Sequence, residues 1–363
     1  MQKKAVLSIF MVFFFVCSII FLQTPALNAQ DFFADMFPGL RMVQIEQGQH
    51  FTYSIEAKRE GEVTAGVLDF LILEIEHGVI EVIIEGEFGE HHISTRAMGW
   101  KDNPWEIVNN IGTELENTLP GEMRDMFSAT FSMAAIFTAM YGDQFEVGWE
   151  LKEDEQFEEV ILNIPEMKEY GGVEGYLVRM GHGDEVVIEF SVRPDLLLPL
   201  MVNFRSLWDD FEDDFADDLV VNDIKYYIEL INFSEDADLS GVVRAEEDAP
   251  LLVLAGLVEY FKDQGLEVGE RSPRFYDMMG AVAGFGLDIM GEEVELYLFD
   301  PETAAPDVLK SLQQVQETGE FDIMGFPMPA VVNGNILMTG LEFGTIYQHP
   351  AKDEIVEIFM NYN

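Results

Sequence analysis

The 363-residue sequence has one cysteine, Cys17. With no second cysteine there is no internal disulfide, no zinc site built from several thiolates and no paired-thiol redox chemistry. Cations are nearly as scarce, with 20 Lys+Arg against 68 Asp+Glu and a formal net charge of −48. A field of that sign repels phosphate backbones and anionic lipid surfaces, so nucleic acid is excluded as a partner. The common catalytic signatures are missing too: G-x-S-x-G, H-E-x-x-H and the P-loop do not occur. The nearest approach to a dinucleotide fingerprint, Gly280 to Gly286, lies in an apolar stretch that alternates like a strand.

The first residues are the one long hydrophobic run. Lys3 and Lys4 precede an uncharged stretch from Ala5 to Leu22, Thr24-Pro25 break it, and Ala29 supplies a small residue at the cleavage position. Residues 1–29 are therefore expected to be a secretory signal peptide, leaving no stable membrane span once it is removed. The expected destination is the periplasm, the cell envelope or the outside of the cell. Because the leader holds two lysines and no acid, its removal takes the net charge from −48 to −50. Such charge is best tolerated where salt screens it, which predicts a salt-adapted protein. Hydrophobic residues still make up 48% of the chain, enough for buried cores.

From His50 the pattern is β. Phe51, Tyr53, Ile55 and Ala57 alternate with polar residues, and VLDFLILEIEHGVIEVIIEGEF reads as two strands around a His77-Gly78 turn. Asn103-Pro104 is a helix start, with Trp105, Val108, Ile111 and Leu115 at helical spacing. A second helix is predicted over 123–141, its part from Met126 to Tyr141 uncharged and too short to span a bilayer. Strands return at FEVGWEL, GVEGYLVRM, EVVIEFSV, DLLLPLMVNF and IKYYIELINF. Downstream, APLLVLAGLVEYFKDQG reads as a helix ended by Gly265, and Pro301 as the opening of another. PAVVNGNILMTG is expected to be a hairpin turning at Asn333-Gly334, and KDEIVEIFMNY a closing helix.

Two sets of candidate site residues emerge. Phe127, Phe131, Met133, Phe137 and Met140 would form the ligand-facing stripe of the uncharged helix. Asp236, Asp238, Ser240 and Glu247 fall at the ligand spacing of an EF-hand loop with Gly241 at its turn, which admits calcium as the one cofactor worth testing. Against calcium, the residues before that loop alternate like a strand, and Arg244 stands where a ligand or bridging water belongs.

The serial strands FTYSIEA, VLDFLILEIE, VIEVIIEGEF, GYLVRM and VVIEFSV, with the uncharged helix among them, resemble LolA-like lipoprotein carriers over residues 48–233. The resemblance implies a curved sheet that holds an acyl chain or another apolar ligand under that helix. The expected fold class is α+β: an antiparallel β-rich domain over 30–245 with packed helices, then a smaller α+β domain over 246–363. The expected function is non-catalytic binding of an apolar small molecule or lipid. The residues leave open a carboxylate-based, calcium-assisted hydrolase and a structural or partner-binding envelope protein. Oligomeric state is not legible.

Overall fold

The computed structural model describes residues 42–59, 62–119, 134, 137–139, 141–152, 160–182, 185–204, 224–245, 249–274, 276–323, 326–343 and 346–362. The expected leader therefore lies outside the described residues. Large antiparallel sheets and a few helices make the fold mixed α+β. The described chain forms two compact units that divide between Glu259 and Tyr260. Among the described residues, no helix is long and apolar enough to cross a membrane.

The first unit is built on one ten-stranded antiparallel sheet. Its strands are β1 (His50–Arg59), β2 (Glu62–Glu74), β3 (Val79–Phe88), β4 (His91–Trp100), β5 (Glu150–Lys152), β6 (Val160–Tyr170), β7 (Val173–His182), β8 (Glu185–Val192), β9 (Met201–Phe204) and β10 (Ile224–Ser234). Two meanders, β1 to β4 and β5 to β10, are joined where β1 pairs with β10, giving the order β4-β3-β2-β1-β10-β9-β8-β7-β6-β5.

Register explains why one face is apolar throughout. Residues directly opposite on neighbouring antiparallel strands share a face. Ile55, Ile228, Val202, Phe190 and Val178 oppose one another in turn across five strands, and all are buried. Phe51, Phe70 and Ile84 continue that face across β1 to β3. One residue along lies a polar row on the other face: Glu56, Tyr227, Asn203, Glu189, Arg179 and Asn163. There Arg179 Nε donates to Glu189 at 2.8 Å, and Asn203 donates to the same carboxylate at 3.2 Å. The alternation read from FTYSIEA is borne out, with Phe51, Tyr53, Ile55 and Ala57 all buried.

Helix α1 (Pro104–Thr118) covers one end of the apolar face. Asn103 caps it by accepting from the Glu106 N–H at 3.4 Å, and Pro104 occupies the first turn, where its missing N–H costs nothing. Ile107, Val108, Ile111 and Leu115 are buried, while Trp105 is half-buried. The helix sits close because residue 99 is glycine: a Cβ there would lie 2.5 Å from Ile107 Cγ1. Asn110 donates to the Met98 carbonyl at 2.7 Å, so α1 also guards part of the edge strand β4.

Several boundaries differ from the sequence expectation. The β2–β3 turn has three residues, Glu76 to Gly78, with His77 in the left-handed region at φ 62°. DLLLPLMVNF forms a strand only over Met201–Phe204. Its leucines Leu196, Leu197, Leu198 and Leu200 instead bury into the core, and Tyr53 Oη donates to the Pro199 carbonyl at 2.7 Å. FEVGWEL is a strand only from Glu150. β6 was not anticipated, because Pro165 interrupts its pattern. The register shift between Asn163 and Glu166 accommodates that proline.

After β10, the stretch from Glu235 to Ala245 leaves the sheet as a strap. The Ala237 N–H donates to the Gly48 carbonyl at 3.0 Å, and the Ala245 N–H donates to Glu81 Oε2 at 3.2 Å. Glu81 is 0% exposed and pairs with Arg96 Nη1 at 2.5 Å. Glu81→Gln would keep an acceptor for Ala245 but break the ion pair. Because Arg96 is 38% exposed, the expected cost is about 2 kcal/mol, below the range for a fully buried pair. Denaturant unfolding reads that loss, and trypsin is expected to cut faster after Arg244. Unchanged rates would show that Glu81 does not anchor the strap.

The second unit carries a six-stranded sheet in the order β11-β12-β13-β16-β15-β14. Its strands are β11 (Val268–Pro273), β12 (Ala283–Ile289), β13 (Glu292–Leu298), β14 (Glu320–Ile323), β15 (Phe326–Asn333) and β16 (Ile336–Thr339). A small pair, β17 (Glu342–Phe343) and β18 (Tyr347–Gln348), follows. Helix α2 (Pro250–Asp263) begins in the first unit and ends in this one, with Gly265 at φ 91° just beyond it. Helix α3 (Pro306–Thr318) opens at Pro306 rather than Pro301, which stands in the preceding turn. Leu312 and Val315 of α3 join Tyr297, Phe299, Phe321 and Leu337 in one core cluster. The β15–β16 turn residues are Gly334 and Asn335, one place later than expected. This shift frees Asn333 to cap the end of α4 (Lys352–Met360) by donating to Phe359 O and Tyr362 O at 2.8 and 2.7 Å.

Candidate functional site

The apolar face of the ten-stranded sheet is not covered equally along its length. Beneath α1 it is sealed, and the rows from Phe51 to Ile84 are fully buried. Over β6 to β9 the cover includes Ala134 and Phe137–Ala139, which are helical, and Thr138 donates back to the Ala134 carbonyl at 2.9 Å. Here a core of Leu162, Ile164, Val178, Ile188, Phe190 and Val202 is fully buried. Phe137, Tyr141, Trp149, Tyr176 and Met180 pack on it but remain half-buried.

These rings form a connected set. Phe137 stacks on Phe190 with centroids 5.4 Å apart and on Tyr141 at 6.2 Å. Trp149 lies 5.5 Å from Tyr141 and 6.3 Å from Phe145, and Phe145 meets Tyr176 edge-on at 5.9 Å. The chain makes this geometry locally. A 3-10 turn over Gly142–Gln144 reverses it after Tyr141, and Gly148 at φ 94° lets it turn again. Trp149 then joins the sheet by accepting from the Ile164 N–H at 2.9 Å. The result is a partly open, aromatic-walled apolar surface, chemically suited to a ligand with its own apolar body.

Of the stripe expected on the uncharged helix, Phe137 is placed in this set. Phe127, Phe131, Met133 and Met140 lie outside the described residues. Sequence reading did not single out Tyr141, Phe145, Trp149, Tyr176 or Met180. Their alternation in FEVGWEL and GYLVRM was visible, but it reports only which strand face a residue is on.

The calcium candidates do not converge. Asp236, Asp238 and Ser240 are exposed on the strap, and Glu247 lies outside the described residues. The segment follows a strand rather than a helix. Asp238 Oδ1 accepts from the Ser240 N–H at 2.9 Å, and that bond holds the Asp238 carboxyl below its ordinary value. Among the described residues, no group of three His, Cys, Asp or Glu is placed to hold a metal ion.

The second unit holds the other polar constellation. Arg274 Nε donates to Glu295 at 2.8 Å, and its Nη2 donates to Glu293. Ser272 donates to Glu293 at 2.5 Å, while Tyr297 and Thr339 donate to Glu295 at 3.0 and 2.9 Å. Burial, then the neighbouring Glu295 charge, push the Tyr297 phenol far above its ordinary value. Glycine at 286 makes room for this layer, since a Cβ there would meet Arg274 Nη2 at 2.9 Å. With a guanidinium between them, these two carboxylates form an ion-paired brace rather than an acid–base couple without a cationic partner.

No protein-family model matches the sequence, and no curated protein is similar to it in sequence. Solved structures similar to it include the MucA/MucB complex of Pseudomonas aeruginosa, at 9% identity and a TM-score of 0.27, covering 85% of this chain and 93% of that one. Another is an outer membrane lipoprotein-sorting protein domain from Vibrio parahaemolyticus, at 10% identity, TM-score 0.22 and coverage of 63% and 100%. A LolA superfamily protein from Nitrosomonas europaea is similar at 10% identity, TM-score 0.19 and coverage of 62% and 100%. The weak LolA-like resemblance read from the strand series is consistent with these last two.

Proposed function

We propose that this chain is an exported, salt-adapted, non-catalytic binding protein of the cell envelope that holds an apolar or lipid-like ligand on its first sheet. The observation that carries this reading is the half-buried aromatic set of Phe137, Tyr141, Trp149 and Tyr176, linked through buried Phe145, on a continuous apolar face. Large rings left half-covered over a closed core are stabilised by an apolar group that completes their burial. The N-terminal leader pattern supports export, and the acidic balance supports a saline setting. The domain boundary is proposed at residue 246, which keeps α2 whole within the C-terminal domain. A carboxylate hydrolase is less favoured, because the close pair Glu293 and Glu295 has Arg274 between its carboxylates.

Native mass spectrometry of the purified protein, followed by solvent extraction, tests the reading. An apolar ligand is expected to co-purify, or a dodecyl-chain probe to bind once the protein is stripped. Phe137→Ala is expected to weaken the probe about tenfold, the worth of one stacked ring at ~1.4 kcal/mol. Protein that is empty and binds no alkyl probe would end the proposal.

A further inference from the structure

The charges around the half-buried rings say what the polar end of such a ligand must be. Between Arg124 and Lys152 the sequence has no Lys or Arg and four acids: Asp125, Asp143, Glu146 and Glu150. Two of them stand among the rings. Asp143 lies in the turn between Tyr141 and Phe145, and Glu146 lies between Phe145 and Trp149; both are exposed.

Three described cations of the same sheet and its loops are committed elsewhere. Arg179 is on the opposite face of the sheet, 2.8 Å from Glu189. Lys168 lies over the Tyr170 ring, and Arg193 pairs with Asp195 at 2.7 Å. An anionic head group arriving here would meet the exposed carboxylates of Asp143 and Glu146, and none of these three cations is free to receive it. A cationic one would meet two carboxylates and the π-faces of Tyr141 and Trp149, which attract positive charge.

We infer that the aromatic surface formed by Phe137, Tyr141, Phe145 and Trp149 takes an amphiphile with an apolar chain and a positively charged head, the head lying against Asp143 and Glu146. This rests on the proposed binding function and names the ligand class for that same surface. A small amphiphile is favoured over a basic peptide because the described open surface is one ring cluster, not a groove running along the sheet.

The test is calorimetry on the full-length mature protein with three probes of equal chain length below their micelle concentrations. They are dodecyltrimethylammonium, dodecyl maltoside and dodecanoate. The cationic probe is expected to bind at least tenfold tighter than dodecanoate in dilute buffer, with the gap narrowing in 1 M NaCl. Asp143→Asn with Glu146→Gln, both at exposed positions, is expected to remove most of that preference while leaving the maltoside unchanged. Trp149→Ala is expected to weaken all three probes.

If none of the three binds, the binding function itself is wrong. If dodecanoate binds as tightly as the cation, or the double variant keeps the full preference, the function stands and the cationic head at this site is wrong. A leucine–lysine peptide that displaces the cationic probe at lower concentration would overturn the amphiphile in favour of a peptide.

Discussion

Gly66→Ala is expected to destabilise the first unit by about 3 kcal/mol, at the upper end of what overpacking costs. The site lies on β2 opposite Phe88 of β3, and the two strands approach closely there. A Cβ at residue 66 would fall inside contact distance of the Glu87 carbonyl oxygen, 2.7 Å from Phe88 Cα and 2.9 Å from its ring. Two of those atoms are backbone, so no rotamer change relieves the contact and the ladder itself must shift. Gly86 shows the reciprocal arrangement, with a Cβ meeting Leu68 Cα at 3.0 Å. Glycines at such close approaches let neighbouring strands of a sheet come together and coil. The measurement is a denaturant titration followed by near-ultraviolet circular dichroism. Gly172→Ala serves as a control, since a Cβ there meets nothing within 4 Å, although its φ of 83° adds strain of about 1 kcal/mol. A Gly66→Ala loss no larger than the control's would mean that the strands are not closely apposed.

What could be read from the sequence was local chemistry with a single solution. Asn103-Pro104 before an apolar stripe has one good reading, and the capped helix is there. The period-2 run from Phe51 to Ala57 likewise admits only a half-buried strand. Where a residue has two uses, the reading failed by a register step. Asn333 suits a hairpin turn as well as a side-chain cap, and the carbonyls at the end of α4 decide for the cap. The Pro301 and Pro306 sites both suit a helix start, and Ala305 rather than Asp300 precedes the first helical turn. Asp300 instead closes the turn before it, accepting from Glu302 N at 2.9 Å. The aromatic site was legible only as strand faces. That Phe145 meets both Trp149 and Tyr176 depends on β5, β6 and β7 lying side by side, and Pro165 hid the middle one.

The thermal midpoint is expected to rise by about 10 °C between 0.05 and 1 M NaCl. Net charge alone predicts the direction, but the sheets add specific repulsions. Asp69 stands directly opposite Glu85 on β2 and β3, and Glu169 directly opposite Glu174 on β6 and β7. Asp288 faces Glu293 on β12 and β13, where Arg274 offsets part of the charge. Directly opposed side chains sit about 5 Å apart, and like charges there are destabilising. At that distance each pair costs roughly 0.8 kcal/mol even at the dielectric constant of water. The screening length is about 10 Å at 0.1 M salt and about 3 Å at 1 M, so the pairs are felt in dilute buffer and largely silenced in molar salt. A few such pairs plus the general acidic field come to about 3 kcal/mol, and each kcal/mol moves the midpoint of a domain this size by roughly 2–4 °C. Glu85→Gln separates screening from salting-out. The variant is expected to melt about 2 °C above the parent in dilute buffer and together with it at 1 M, since salting-out acts alike on both. A parent midpoint that does not move with salt would contradict the salt-adapted reading. A variant whose advantage is the same at both concentrations would show that the opposed carboxylates are not the source of the salt dependence.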